Sequence, residues 1–195
     1  MRTPTPSTPH VSTIPHAPLR RLQRSRRLLA GVLAQPLFLA VSFAQMPFNP
    51  DLDLIRHAFS YLSIGTTGPL QQANFVVMGL LNIIAATALR AHVRGRLGVP
   101  AAILLAALGA GQVIAGIFTL DPSNGFPEGA PAGLPETVSA HGNLHGLGFT
   151  VSMISWVLLS CCAFSPVGWP PRHSGDGRRP ASPAPWSCSS RLRAS

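Results

Sequence analysis

The sequence predicts an all-α fold, a polytopic transmembrane helix bundle of about four spans with disordered N- and C-terminal tails. Hydrophobic residues make up 46% of the 195 residues and charged residues only 11%, which is far less charge than a soluble domain carries. Four runs without Asp, Glu, Lys or Arg are long enough to cross a bilayer as helices. They lie at about residues 28–44, 73–89, 97–120 and 144–164. Together they predict one four-span domain over residues 28–164.

The N-terminal segment, residues 1–27, has the composition of a disordered basic tail. It is rich in proline and then in arginine, so it cannot bury a core. The first span follows directly, and Pro36 is expected to kink it. A cleaved signal peptide is the alternative interpretation, because small residues end this apolar run and Ser25-Arg26-Arg27 resembles a twin-arginine signal. Three further apolar runs follow in either case.

The segment between the first two spans, residues 47–72, predicts a short amphipathic helix lying in the membrane interface. Asp53 and His57 lie four residues apart on its polar face and could pair. A solvated connector is the alternative interpretation. The apolar face of the helix would consist of Leu52, Ile55, Phe59 and Leu62.

Polar and small residues inside the second and third spans predict how these helices pack. Asn74, Met78 and Asn82 recur every four residues, so they form one stripe that must face protein. Interhelical hydrogen bonds are its expected role, and contact with a substrate is the alternative. In the third span, the spacing Ala-x-x-x-Gly-x-x-x-Ala over residues 107–115 predicts a face that packs closely on another helix. Gln112 is the strongly polar residue in the middle of that span.

Ionisable residues at the ends of the third and fourth spans form the candidate functional site. Asp121 follows the third span, where the negative end of the helix dipole disfavours a carboxylate unless a partner meets it. His141 and His145 lie four residues apart at the start of the fourth span. If that helix begins a turn early, they share an inward-facing stripe with Gly148 and Ser152. We therefore expect Asp121 to contact the two histidines.

The chemistry open to two such histidines falls into two kinds. They could share a metal ion such as zinc, or one could act as an acid or base. Interfacial histidines that are hydrogen-bonded only to Asp121 and water are the alternative. The HxxxH spacing lacks the glutamate of a zinc-protease motif, so it does not by itself indicate a protease.

The arginines predict the orientation of the chain in the membrane. The net charge is +9 without any lysine, and fourteen of the fifteen arginines lie in the two tails or in residues 90–96. Arg56 is the exception. By the positive-inside rule, both termini are expected in the cytoplasm. This topology accounts for the basic charge, so the expected partner is the lipid bilayer and not nucleic acid.

Several stretches are similar to a known family. They are RHAFSYLSIG at residues 56–65 with its continuation into residues 74–81, GIFTLDP at 116–122, GFPEG at 125–129 and HGNLH at 141–145. These residues resemble the bacterial membrane-protein family called domain of unknown function 998, over about residues 28–164. The resemblance implies an all-helical, multi-pass protein of the bacterial inner membrane, with Asp121, His141 and His145 at positions that the family motif emphasises. It implies no activity.

The C-terminal segment, residues 165–195, is expected to be disordered. It contains six prolines and five arginines, and it has no apolar run long enough for another span. The family that the chain resembles usually continues with further spans. The chain is therefore either a truncated member or the product of a reading-frame slip near Phe164. A lysine-free, arginine- and proline-rich tail is typical of a GC-rich gene read out of frame, which favours the slip.

Two functions from different classes fit these observations. The first is a binding or transport protein in which Asp121, His141, His145 and also His57 form an outward-facing pocket for a small solute, a proton or a lipid headgroup. It requires no cofactor. The second is a membrane-embedded, metal-dependent hydrolase or transferase acting on a lipid-like substrate, with the histidines holding zinc. Four spans could enclose either site alone or with a second copy, as a homo-oligomer. Stoichiometric metal in the purified protein would favour the enzyme.

Overall fold

The secondary structure of the chain is entirely helical wherever it is regular. The computed structural model describes residues 17–93 and 97–164, and no β-strand occurs in this part of the chain. Its α-helices are α1 (Ala17–Gln45), α2 (Gly68–His92), α3 (Gly98–Ile117) and α4 (Ala140–Phe164). Two short 3₁₀ helices, Met46–Phe48 and Phe59–Ile64, lie between α1 and α2. The predicted all-α fold is confirmed.

Each of the four α-helices is long and apolar enough to cross a membrane, so the chain has the architecture of a multi-pass membrane protein. Several helix ends differ from the approximate ends predicted for the spans. Residues 17–27, assigned to the disordered tail, continue α1, because leucine, glutamine and arginine all favour a helix. α3 ends at Ile117 instead of residue 120, since Phe118 is already extended. The disorder expected for residues 1–16 and 165–195 lies outside the described residues.

The helices pack in the order in which they follow along the chain. α1 packs on α2, α2 on α3, and α3 on α4. Within the described residues, α1 and α4 make at most marginal contact with each other. α2 and α3 therefore form the floor of a cleft, and α1 and α4 form its two walls.

Two pairs of glycines bring α3 close to both of its neighbours. A Cβ atom at Gly111 would lie 2.5 Å from the carbonyl oxygen of Gly148 in α4, and one at Gly109 would lie 2.5 Å from that of Gly79 in α2. Only glycine allows helix backbones to approach this closely. The packing face predicted around Gly111 is confirmed and contacts α4. The Gly79–Gly109 pair was not predicted, because neither glycine has another small residue four positions away in the sequence.

The polar stripe on α2 faces protein, as predicted. Asn74, Met78 and Asn82 are all buried. The amide nitrogen of Asn74 donates to the Phe38 carbonyl oxygen at 3.0 Å, and that of Asn82 donates to Gln112 Oε1 at 2.8 Å. The first bond joins α2 to α1, and the second joins α2 to α3. The stripe therefore connects three helices through hydrogen bonds.

A second polar cluster connects α1 and α2 near their shared loop. Gln45 Nε2 donates to Gln71 Oε1 at 2.8 Å, and Ser42 Oγ lies 3.2 Å from the same oxygen. All three side chains are almost completely buried. In an apolar environment each polar group needs a partner, so this cluster fixes the register of the two helices.

The predicted amphipathic helix between the first two spans was wrong. Leu52 is only 6% exposed while Ile55 is 94% exposed, so these two residues do not share a buried face. The carboxylate of Asp53 accepts a hydrogen bond from the Ile55 backbone N–H at 2.9 Å, which closes a local turn. Aspartate often competes with helix formation in this way, and Pro50 disfavours a helix through the residue before it. Turns therefore replace the helix.

The loops at residues 46–67 and 118–139, here the first and second loops, form a shared cap over one end of the bundle. Leu52, Tyr61 and Leu62 of the first loop form an apolar cluster with Phe126 of the second. The Tyr61 hydroxyl is 2.8 Å from that of Ser123. The cap therefore has a small core of its own.

Candidate functional site

Asp121 lies between the end of α3 and the start of α4. Its Oδ2 accepts a hydrogen bond from the Ser139 backbone N–H at 2.8 Å, and it also packs directly against Gly142. Ser139 precedes α4, and its own hydroxyl accepts from the Gly142 N–H at 3.0 Å. A carboxylate at a helix N-terminus is favoured by the positive end of the helix dipole. The partner that Asp121 needs is therefore the N-terminus of α4.

The predicted contact between Asp121 and the histidines does not occur as a direct hydrogen bond or ion pair, and a contact through water stays a prediction. Among the described residues, neither a hydrogen bond nor an ion pair links Asp121 to His141 or His145. His141 is exposed, and its ring packs edge-on against Phe118 with centroids 5.3 Å apart. It lies in the first turn of α4, beyond the end of α3, so no helix covers it.

His145 is the histidine that faces the bundle interior. It is 6% exposed, and its Nδ1 lies 3.0 Å from the Ala115 carbonyl oxygen and 2.9 Å from that of Phe118. Because carbonyl oxygens only accept hydrogen bonds, Nδ1 must carry the proton and donate to both. In the neutral ring, Nε2 is then an acceptor, and it makes no hydrogen bond with any described residue.

His57 lies in the cap and uses both of its ring nitrogens. Nδ1 accepts from the Asp53 backbone N–H at 3.0 Å, and Nε2 donates to the Asn124 carbonyl oxygen at 3.0 Å. The side chain is 5% exposed. The predicted pairing of Asp53 with His57 occurs through the backbone, and His57 joins the first loop to the second.

The four candidate residues are thus distributed over separate places. His57 is in the cap, Asp121 and His141 are at the start of α4, and His145 is between α3 and α4. Within residues 17–93 and 97–164, no three His, Cys, Asp or Glu side chains come close enough to hold a metal ion together. The donor set that a protein-bound zinc ion needs does not gather in this part of the chain.

A cleft opens between α1 and α4. It has a volume of about 580 Å³, and residues 58–60 of the first loop cover one end. Aromatic and methionine side chains from α1, α2, α4 and the first loop line it, and none of the described residues that line it is charged. These apolar side chains are Phe38, Phe59, Phe75, Met78, Phe149, Met153 and Trp156. The polar side chains from α2, α3 and α4 are Asn82, Gln112, His145 and Ser152.

Three polar atoms from α2, α3 and α4 lack a hydrogen-bond partner among the described residues, as do the side chains of Gln35 and Ser60, which also line the cleft. Asn82 and Gln112 use one end of each amide in the bond between them, which leaves the other ends unpaired, and His145 Nε2 is the third atom. In the described part of the chain, the one side-chain atom that is sealed from solvent and unpaired is Gln45 Oε1, outside the cleft. The three atoms are therefore accessible from the cleft.

The sequence predicted most of these residues as polar or inward-facing, but it did not predict that they line one cleft. Asn82 and Gln112 are polar residues inside apolar spans, and the stripe of His141, His145, Gly148 and Ser152 was predicted to face inward. His145, Gly148 and Ser152 are buried, but His141 is exposed. The cleft itself depends on α1 and α4 staying apart, for which the sequence contains no signal.

Comparison with known proteins gives one match. The model of a family described as "Protein of unknown function (DUF998)" matches residues 32–183. No curated protein and no solved structure matches the chain.

Proposed function

The chain belongs to the DUF998 family of proteins of unknown function, and we propose that it binds one amphipathic, lipid-like molecule in the cleft between α1 and α4. The observation that carries the proposal is His145. Its side chain is buried, and its Nε2 is an unpaired acceptor that faces an aromatic-lined cavity. An unpaired polar atom in an apolar environment is costly, and a ligand group that donates to it would offset that cost.

The size and the lining of the cleft support this class of ligand. A volume of about 580 Å³ lies within the range of small-molecule sites, roughly 300–1,000 Å³. Such sites combine apolar walls with a few placed polar groups. Phe149 and Trp156, on the α4 wall, are more than half exposed, so the cleft opens sideways. A side opening in a membrane-spanning bundle admits a molecule that resides in the bilayer.

The proposal assigns different roles to the four candidate residues of the sequence. His145 contacts the ligand. Asp121 holds the start of α4, which carries one wall of the cleft, and His57 holds the cap whose residues 58–60 cover one end. No described contact gives His141 a role. The alternative of a metal-dependent hydrolase gains no support from the described residues, because their metal-binding side chains stay apart.

Photolabelling with a matched pair of variants tests the proposal. The probe is a long-chain alcohol carrying a diazirine, presented to the purified chain in nanodiscs, with adducts mapped by mass spectrometry. We expect saturable labelling of residues 75–82 and 145–156. Met153→Trp should fill the cleft and reduce labelling at least about tenfold, since it removes the space that the ligand needs. Ile154→Trp should not, because Ile154 is exposed and does not line the cleft.

Two results would contradict the proposal. If both tryptophan variants and the wild type were labelled equally and without saturation, the probe would be reacting from the surrounding bilayer and not from a binding site. A stable dimer in which one copy fills the cleft of the other, without saturable adducts, would show that the occupant is a protein helix.

We also infer that the protein lies in a cell membrane with both termini in the cytoplasm. The support is the distribution of arginine, fourteen of fifteen on one predicted side. Alkaline phosphatase is active only outside the cytoplasm, so a fusion at Gly129 is expected to be active and a fusion at Arg94 inactive. The reverse pattern would overturn the orientation. The cap, and with it the covered end of the cleft, would then lie on the cytoplasmic side.

A further inference from the structure

We propose that the head of the ligand is an uncharged hydroxyl group, so that the cleft selects neutral lipids ending in an alcohol over phospholipids, ethers and esters. This inference rests on the proposed function and specifies the ligand class of the same site. The observation behind it is the fixed hydrogen-bonding polarity of the unpaired atoms in the cleft.

The first step concerns His145. Its Nδ1–H is committed to the Ala115 and Phe118 carbonyl oxygens, so the neutral ring presents only an acceptor to the cleft. A ketone, ether or ester head cannot donate and therefore gains no bond there. A head that bonds to His145 Nε2 must therefore carry an N–H or O–H group.

The second step concerns the amide pair Asn82–Gln112. One amide donates to the other at 2.8 Å, which leaves one free NH₂ group and one free carbonyl oxygen in the cleft, whichever way round the two amides lie. Gln112 precedes Ala115 by three residues, about 4.5 Å along the helix axis. Asn82, Gln112 and His145 line the same cleft, and the proposal places one hydroxyl group between His145 Nε2 and this amide pair. A hydroxyl is both donor and acceptor, so it satisfies both neighbours at once.

The third step concerns charge. The described residues that line the cleft include no Asp, Glu, Lys or Arg. A phosphate, carboxylate or ammonium head would enter this cavity without an opposite charge, and burying an unpaired charge is far more costly than burying a hydroxyl. The ligand class is therefore a neutral lipid alcohol, such as a long-chain alcohol or a partial glyceride.

Competition against the diazirine alcohol separates the head groups. The full chain in nanodiscs is labelled in the presence of hexadecanol, its methyl ether or its phosphate ester, which share one chain. Hexadecanol is expected to compete at a concentration at least about tenfold lower than either of the others, because each of those lacks the neutral donor.

Variants then test the role of His145. The amide of an asparagine can still donate to the Ala115 and Phe118 carbonyl oxygens, so His145→Asn should retain the helix contact and lose the Nε2 acceptor. We expect the advantage of hexadecanol over its ether to disappear in this variant. His92→Ala removes an exposed histidine ten residues beyond Asn82 on α2 and should preserve the advantage.

The outcomes separate the hydroxyl inference from the proposal of lipid binding. Equal competition by the alcohol and the ether in the wild type would overturn the hydroxyl inference and leave lipid binding intact. Stronger competition by the phosphate would replace it with an anionic head. Absence of saturable labelling by any probe would overturn lipid binding itself. If His145→Asn does not fold, the wild-type ratio of alcohol to ether alone decides.

Discussion

Replacing Gly111 by alanine is expected to lower the free energy of unfolding by about 2–3 kcal/mol, the upper part of the range for overpacking. The new methyl group would lie 2.5 Å from the Gly148 carbonyl oxygen, 2.5 Å from Ser152 Oγ and 3.0 Å from the Ser152 backbone nitrogen. Two of these atoms belong to the backbone of α4, so α4 must move away as a whole. Because α4 is a wall of the cleft, lipid labelling should fall together with stability.

The matched control for Gly111→Ala is Gly146→Ala in α4. A Cβ at Gly146 would meet nothing within 4 Å. Alanine in a helix is more favourable than glycine by roughly 0.5–1 kcal/mol, so this variant should be as stable as the wild type or slightly more so. Unfolding by SDS in mixed micelles, followed by circular dichroism, measures both. Equal stability of the two variants would mean that α3 and α4 are not in this close contact.

Replacing Asp121 by alanine is expected to destabilise the bundle by about 1–2 kcal/mol, comparable to the loss of a helix N-cap. The substitution removes the acceptor of the Ser139 N–H and the negative charge beside the start of α4. Asp121→Asn keeps an acceptor and loses only the charge, so it should cost about 0.3–1 kcal/mol. The same SDS titration measures this series.

The control for Asp121 is a carboxylate from the same loop. Glu128 and Glu136 are exposed and make no hydrogen bond or ion pair with a described residue. Glu136→Gln should therefore leave the stability unchanged. If Asp121→Ala were as stable as Glu136→Gln, the bond to Ser139 would contribute nothing to holding α4.

The sequence predicted the parts of the fold that depend on apolar length and on repeated spacing. Apolar runs gave four helices, and the spacing of Asn74, Met78 and Asn82 gave a buried stripe. The prediction of a helix in the first loop was wrong, although Leu52 and Ile55 have helical spacing. The turn that Asp53 closes determines the local structure instead. In such a short segment, side-chain hydrogen bonds that close turns stabilise the chain more than the first turn of a helix would.

The site was only partly predictable, for reasons that concern the partners of its residues. The need of Asp121 for a partner was foreseen, but that partner is the Ser139 backbone N–H, which every non-proline residue has. The partners of His145 Nδ1 are likewise backbone carbonyl oxygens. A pattern of side chains cannot reveal backbone partners, so His141 and His145 looked equivalent in the sequence.

The packing of the helices in chain order has a consequence for how the protein is made. Every extensive helix–helix contact in the described bundle joins neighbours in sequence, so contacts are local and folding has little loop-closure entropy to overcome. Each helix can dock on its predecessor as soon as it enters the bilayer during synthesis. The glycine contact between α2 and α3 forms first, and that between α3 and α4 forms later. The cleft between α1 and α4 is therefore complete only once α4 has docked, because α4 brings one wall and His145.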